Sequence, residues 1–228
     1  MFRNLLTIFL LSICSVSNAQ INEIGVTIGA SNFIGDIGAT NYISPKDLGY
    51  GIQYRWNRSP RHSWRASYNY LKLSGDDAKS DMMMRKARNL SFKNNIHELS
   101  VGIEFNFFEF DLHNEWFSFT PYLYTGITGL KYDETYFDKK KQEKTEDTYS
   151  LAIPLSAGFK AQINKRIVLS TEIGLRYTFT DNLDGNNPSS NKYAGSRFGN
   201  TNSNDWYVFT GLTLSYTFGK NPCYCAPN

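Results

Sequence analysis

The chain has 228 residues, 41% hydrophobic, 15% aromatic and 20% charged, with a formal net charge of +3. That length allows one domain or two small ones, and the negative mean hydropathy, with no long apolar run past residue 14, excludes a helical membrane protein. No dense Lys/Arg block points to nucleic acid.

Met1 to Ala19 reads as a secretory signal peptide. Arg3 gives the positive start, Leu5 to Cys14 the apolar core, and Ser17-Asn18-Ala19 the small-x-small cleavage site. Cys14 raises a lipoprotein alternative, against which Ile13 is bulky where such a signal wants a small residue. The expected division is a signal peptide over 1–19, a barrel over 20–218 and a tail over 219–228.

The mature chain then runs as dyad-alternating segments. Ile24, Val26, Ile28 and Ala30 alternate with Gly25, Thr27 and Gly29 in a first strand near 21–30. Leu48 to Trp56 and Trp64 to Tyr70 form two more, with Arg55 and Arg65 on the polar parity and the turn RSPRH between them. A polar segment from Gly75 to Lys93 follows, then a fourth strand whose apolar face runs from His97 to Phe107 and whose other face carries Glu98 and Glu104. The fifth, about 117–130, has aromatics on both parities, so its faces stay open. Lys131 to Thr148 reads as a charged hydrophilic loop. Leu151 to Ile163 and Ile167 to Phe179 alternate strongly, with Lys160, Glu172 and Arg176 on the polar side. A Gly/Asn/Ser-rich loop, about 180–204, precedes the last strand, Trp206 to Phe218, which is longer than most soluble strands and aromatic at both ends.

Eight strands, with connections alternating long and short, predict an all-β fold: an eight-stranded antiparallel transmembrane β-barrel of outer-membrane type, both termini periplasmic. Closure is required because unpaired edge amides in lipid cost several kcal/mol each. Arg55, Arg65, Glu98, Glu104, Lys160, Glu172 and Arg176 fall on the inner face, where opposite charges should pair into a lumen plug. A proton or ion path is the sharper alternative. A soluble lipocalin-like barrel would reverse the faces and would not need large outward aromatics at strand ends.

No catalytic constellation is present: HExxH, GxSxG and Walker loops are absent, and His62, His97 and His113 have no suitable neighbours in sequence. The expected rim offers Asp36, Asp76, Asp77, Asp181 and Asp184 but no His. Thr180 to Asn187, TDNLDGNN, lacks the ligand spacing of a calcium loop and reads as a solvated turn. Met82-Met83-Met84 reads as an ordinary loop on the rim, with a sticky partner contact as the alternative. No metal, cofactor, nucleic acid or small-molecule substrate is expected. Cys223 and Cys225 sit in the tail PCYC, open to an intermolecular bridge, a shared metal or no specific use.

Several segments together resemble the PorG-like outer-membrane barrels of the Bacteroidetes type IX secretion system. They are Glu23 to Gly38, Ser74 to Asp77, Arg88 to Phe108, Pro121 to Ile127, Arg176 to Gly185 and Tyr216 to Cys225. The resemblance implies a non-enzymatic accessory of protein export, anchoring or aligning a periplasmic ring of PorK-like lipoprotein and PorN-like protein, and in gliding species serving adhesin delivery. Topology then directs partner contacts to the periplasmic side: Cys223, Tyr224 and Cys225 in the tail, and Arg58, Arg61 and His62 in the first short turn. The alternatives are a stand-alone small OmpA-like structural or adhesive barrel and a small-solute channel. Outer-membrane lipid is a partner in every case.

Overall fold

The computed structural model describes residues 21–112, 117–200 and 202–219. The expected signal peptide, His113 and the tail cysteines lie outside the described residues.

Eight strands follow one another around a closed, fully antiparallel barrel: β1 (Ile21–Ile34), β2 (Asp47–Asn57), β3 (His62–Asp76), β4 (Ser91–Asn106), β5 (Phe119–Asp138), β6 (Lys141–Asn164), β7 (Ile167–Thr178) and β8 (Trp206–Phe218). β8 closes on β1 from Asn22↔Phe218 to Ile34↔Trp206, so neither strand leaves a free edge. Among the described residues no helix is long and apolar enough to cross a membrane, and the strands do the crossing.

Sidedness follows the sequence parity. Val26, Ile28, Ile52, Leu99, Val101, Ile127, Leu155, Leu212 and Leu214 are exposed on the outer wall. Gln53, Arg55, Arg65, Asn69, Glu98, Glu104, Ser156, Lys160, Glu172 and Arg176 are buried inside it. A wall greasy outside and ionic inside suits lipid and fails in water. Aromatic girdles bound the apolar band. Tyr54, Trp64, Phe105, Phe107, Phe119, Tyr216 and Phe218 stand toward the short turns, and Tyr50, Tyr70, Tyr149, Phe179 and Trp206 toward the long connections. On β6 the band between Tyr149 and Ile163 rises roughly 30 Å, at about 3.3 Å per residue and a strand tilt of about 45°. This is a transmembrane barrel of outer-membrane type.

Several expectations are corrected. The Lys131–Thr148 stretch is no loop: β5 and β6 continue through it as a hairpin, turning at Lys139-Lys140 with Lys139 at φ 58°. Its residues lack an apolar face because they stand beyond the apolar band of the wall, where the dyad signal fades. β1 runs to Ile34, four residues past its expected end. There Asn32 donates to the carbonyls of Asn41 and Tyr42, both at 3.1 Å, and draws the β1–β2 connection against the wall. The polar 75–93 segment contains the end of β3, a short helix α1 (Met83–Arg88) and the start of β4. β5 faces are now assigned: Thr120, Tyr122, Tyr124, Thr128 and Leu130 point inward, Phe119, Leu123 and Ile127 outward.

Candidate functional site: a filled lumen closed at both ends

The inward parity places charges from six strands along the middle of a lumen too narrow for bulk water. Arg55 Nη1 meets Glu23 Oε2 at 3.1 Å and its Nε meets Glu104 Oε2 at 3.0 Å. Lys160 Nζ lies 2.6 Å from Glu104 Oε1, and Arg65 pairs with Glu172 through both guanidinium nitrogens. Arg176 reaches Glu98 with two contacts of 3.3 Å. Glu98 also accepts from Asn69 at 2.8 Å and from Tyr207 Oη at 2.7 Å. The seven lumen residues singled out from sequence thus converge in one network.

The network also holds residues that the sequence reading passed over. Glu23 supplies the fourth acid against four bases, so the buried set is neutral, which an unpaired ion at this depth would not allow. It lies two residues before Gly25, so extending the alternation of β1 backward would have found it. Tyr122 and Tyr124 supply π-faces: Arg65 sits 4.1 Å over the Tyr124 ring, and Lys160 5.7 Å from that of Tyr122. Aromatic residues read equally well as lipid anchors, so nothing in the sequence separated these two from Phe119.

Each end is closed by something other than charge. At the short-turn end the β4–β5 connection folds under the barrel, where buried Phe110 and Leu112 pack with Val168. Lys160 Nζ stands 4.9 Å above the Phe110 ring. Gln162 Nε2 donates to the Leu112 carbonyl at 3.3 Å.

At the other end an apolar core fills the barrel mouth. Leu71, Leu73, Phe92, Ile96, Leu130, Tyr207 and Phe209 come from the wall, and Ile37, Leu90 and Leu183 from the connections. The expected solvated turn TDNLDGNN is buried instead: Asn182, Leu183, Asp184 and Asn186 are all enclosed. The reason lies in its partners. Asn94 Nδ2 donates to the Leu183 carbonyl at 2.8 Å, Asp205 accepts from Leu183 N at 2.8 Å, and Asp184 accepts from Ile37 N at 3.1 Å. Asp36 accepts from Asn186 Nδ2 at 2.7 Å and Asn200 N at 2.9 Å. Gly185, at φ 86°, takes the left-handed conformation this tight path needs.

Titration in this cap follows burial. Asp184 is pushed up to about 7, first by burial and then by the charge of Asp36. Burial lifts Asp181 to about 6 despite donation from Asn187 and Asn186. Asp205 is raised by burial and then by Asp184. Asp77 goes the other way: burial alone would raise it, but Arg88, Gly38 N and Leu90 N all donate to it and hold it low. Among the described residues no group of three His, Cys, Asp or Glu side chains is placed to hold a metal.

The expected partner residues stand apart from this interior. Arg58 and Arg61 are exposed at the short-turn end; Arg61 Nη1 donates to the Phe107 carbonyl at 2.9 Å, and Arg58 lies 5.8 Å from the Trp56 ring. His62 is exposed at the start of β3 and faces Phe105, with ring centroids 5.3 Å apart. Cys223, Tyr224 and Cys225 lie outside the described residues. Met83 and Met84 are the most exposed large apolar side chains described, at 84% and 88%.

The model of a domain of unknown function, DUF6089, matches residues 2–227. The chain belongs to the DUF6089 family. No curated protein sequence matches this DUF6089 chain. Among solved structures, the DUF6089 barrel is similar to neisserial surface protein A at 8% identity and a TM-score of 0.49, covering 87% of this chain and 97% of that one. It is similar to Ail, the attachment invasion locus protein of Yersinia pestis, at 11% identity and a TM-score of 0.45, covering 88% and 99%. The N-terminal β-barrel domain of Pseudomonas aeruginosa OprF gives 10%, 0.45, 87% and 99%.

Proposed function

We propose that this DUF6089 barrel is a non-enzymatic outer-membrane anchor that works through its two ends and not through its lumen. The observation that supports this is the interior. Its charges are mutually paired, and apolar side chains close both mouths. A catalytic or conducting centre needs a reachable polar group, and this lumen offers none among the described residues.

The short-turn end is the periplasmic one in this reading, because outer-membrane barrels keep their short turns there. Arg58, Arg61 and His62 then face the periplasm, with the tail that follows β8. The resemblance to PorG-like barrels names the partner to test, a PorK/PorN-type ring of the type IX system, and that assignment rests on the resemblance alone. The experiment is crosslinking in intact cells, followed by solubilisation and mass spectrometry of what travels with the barrel. Recovery of ring proteins, reduced on deleting residues 219–228 while the barrel stays heat-modifiable, is the expected result. Recovery of no ring component would leave the second reading, a stand-alone OmpA-like barrel. The exposed Met82–Met84 run at the opposite end favours that reading, since it offers a contact surface outside the periplasm.

A further inference from the structure

The outer wall carries one polar feature that neither the lumen nor the ends account for. Across β3 to β6, Tyr70, His97, Lys131 and Tyr149 lie side by side on one rung. The next rung toward the long connections brings Asn95 and the Asp133–Asp147 pair. All of these except Tyr149, together with Lys144, line a pocket of about 250 Å³. The four charges alternate: Lys131 Nζ lies 2.7 Å from Asp147, and Lys144 Nζ lies 2.8 Å from Asp147 and 2.7 Å from Asp133. All four side chains stay between 24% and 52% exposed, so water or a ligand can replace either partner. The His97 ring is fixed by a 2.8 Å hydrogen bond with Tyr68 Oη and by Tyr70, whose centroid is 5.0 Å away.

The rung below, toward the barrel middle, is Tyr68, Leu99, Gly129 and Leu151. Gly129 points outward, and a Cβ built on it would meet nothing nearer than the Leu99 carbonyl oxygen at 3.9 Å. With Leu99, Ile127 and Leu151 standing out around it, the lipid-facing wall has a notch directly beneath the charged pocket. The pocket sits where the apolar band ends and the tyrosines begin, the depth of lipid headgroups.

We infer that this pocket and notch hold one ethanolamine glycerophospholipid, phosphate toward Lys131 and Lys144, ammonium toward Asp133 and Asp147, with an acyl chain over Gly129. A purely anionic headgroup would meet two carboxylates. A choline headgroup has no N–H with which to satisfy them. A free headgroup would leave the notch unused. The inference rests on the barrel lying in a bilayer.

The test is native mass spectrometry of the detergent-solubilised full chain, titrated with ethanolamine, choline and glycerol phospholipids of matched acyl chains. One ethanolamine lipid should be retained about tenfold more tightly than either other. Gly129→Leu should weaken retention of the ethanolamine lipid, whereas Ala157→Leu, at another outward position, should leave it unchanged. The double change Asp133→Asn, Asp147→Asn should erase the distinction between ethanolamine and choline. Soluble glycerophosphoethanolamine should not compete. Equal retention of all three lipids, or a Gly129→Leu barrel that holds the ethanolamine lipid as tightly as the wild type, would overturn the inference. All three variants are checked for heat-modifiability, so a folding failure is seen as such. Failure of the wild type to insert into vesicles would remove the bilayer reading, whereas insertion without preference removes only this site.

Discussion

Glu104 meets more cations than any other described acid of the lumen: Arg55 and Lys160 bond it, and Arg65 Nη1 is 3.6 Å away. Glu104→Gln leaves three buried cations facing one neutral amide. Removing one partner of a buried pair typically costs about 3–5 kcal/mol, and the variant should unfold at a correspondingly lower urea concentration in vesicles. Glu109→Gln is the control. Its ion pair with Arg61 is 3.5 Å long between side chains 71% and 46% exposed, so the midpoint should not move measurably. The cap carboxylates predict a pH effect of definite sign. Asp184 is lifted from 3.8 to about 7 when folded, so the closed cap binds more protons than the opened connections do. Cap stability is then complete below about pH 4 and falls as pH rises through about 7. Hydrogen exchange of amides in 35–46 and 179–200 should speed up across that window. Asp184→Asn, uncharged at every pH, should make the profile shallower, with Asp181 and Asp205 supplying what remains.

At the scale of elements, lipid made the strands legible. One face must be apolar over some ten residues, so the dyad pattern of β2, β4, β6 and β7 exposed both their course and their faces. Where lipid stops, the signal stops. The upper part of the β5–β6 hairpin is wet on one side and packed on the cap with the other, and in composition it looks like a solvated loop. Its packing gives it a role. Phe137 is buried in the mouth core against Phe198, Tyr136 stacks on Tyr193 at 4.1 Å, and Glu134 Oε1 accepts from Ser189 N at 2.7 Å. The hairpin is therefore a splint for the β7–β8 connection. Replacing residues 135–144 with a short Gly-Asn turn should free amides of that connection to exchange. The barrel should stay heat-modifiable, because the paired rungs from Leu123↔Ala157 to Lys131↔Tyr149 are untouched. The buried turn at 180–187 was unreadable for a related reason. Asn, Asp and Gly suit a solvated turn and a fully bonded buried one equally, and only the partners Asn94, Asp205 and Ile37, distant in sequence, decide between them.

At the scale of the whole molecule the interior is three seals in series: Phe110 and Leu112 below, the neutral charge network across the middle, and the apolar mouth above. An ion entering from either end has to cross an apolar layer before it reaches the network, and there finds charges already paired with one another. Planar-bilayer recordings should therefore show no stable unitary current from the wild type. Seals in series also predict which variants stay silent. Phe110→Ser opens only the lower end, and the hairpin replacement loosens only the upper one; each leaves the middle layer, whose neutrality depends on Glu23 as much as on the other three acids. Combining the two should still give no selective current. Adding Glu104→Gln leaves the network with one excess positive charge, and Lys160 without the carboxylate it pairs with, along a now accessible path, so an anion-selective leak should appear in the triple variant alone. A steady current from Phe110→Ser by itself would show that the network is a gate instead of a plug, and the lumen would return to consideration as the working part.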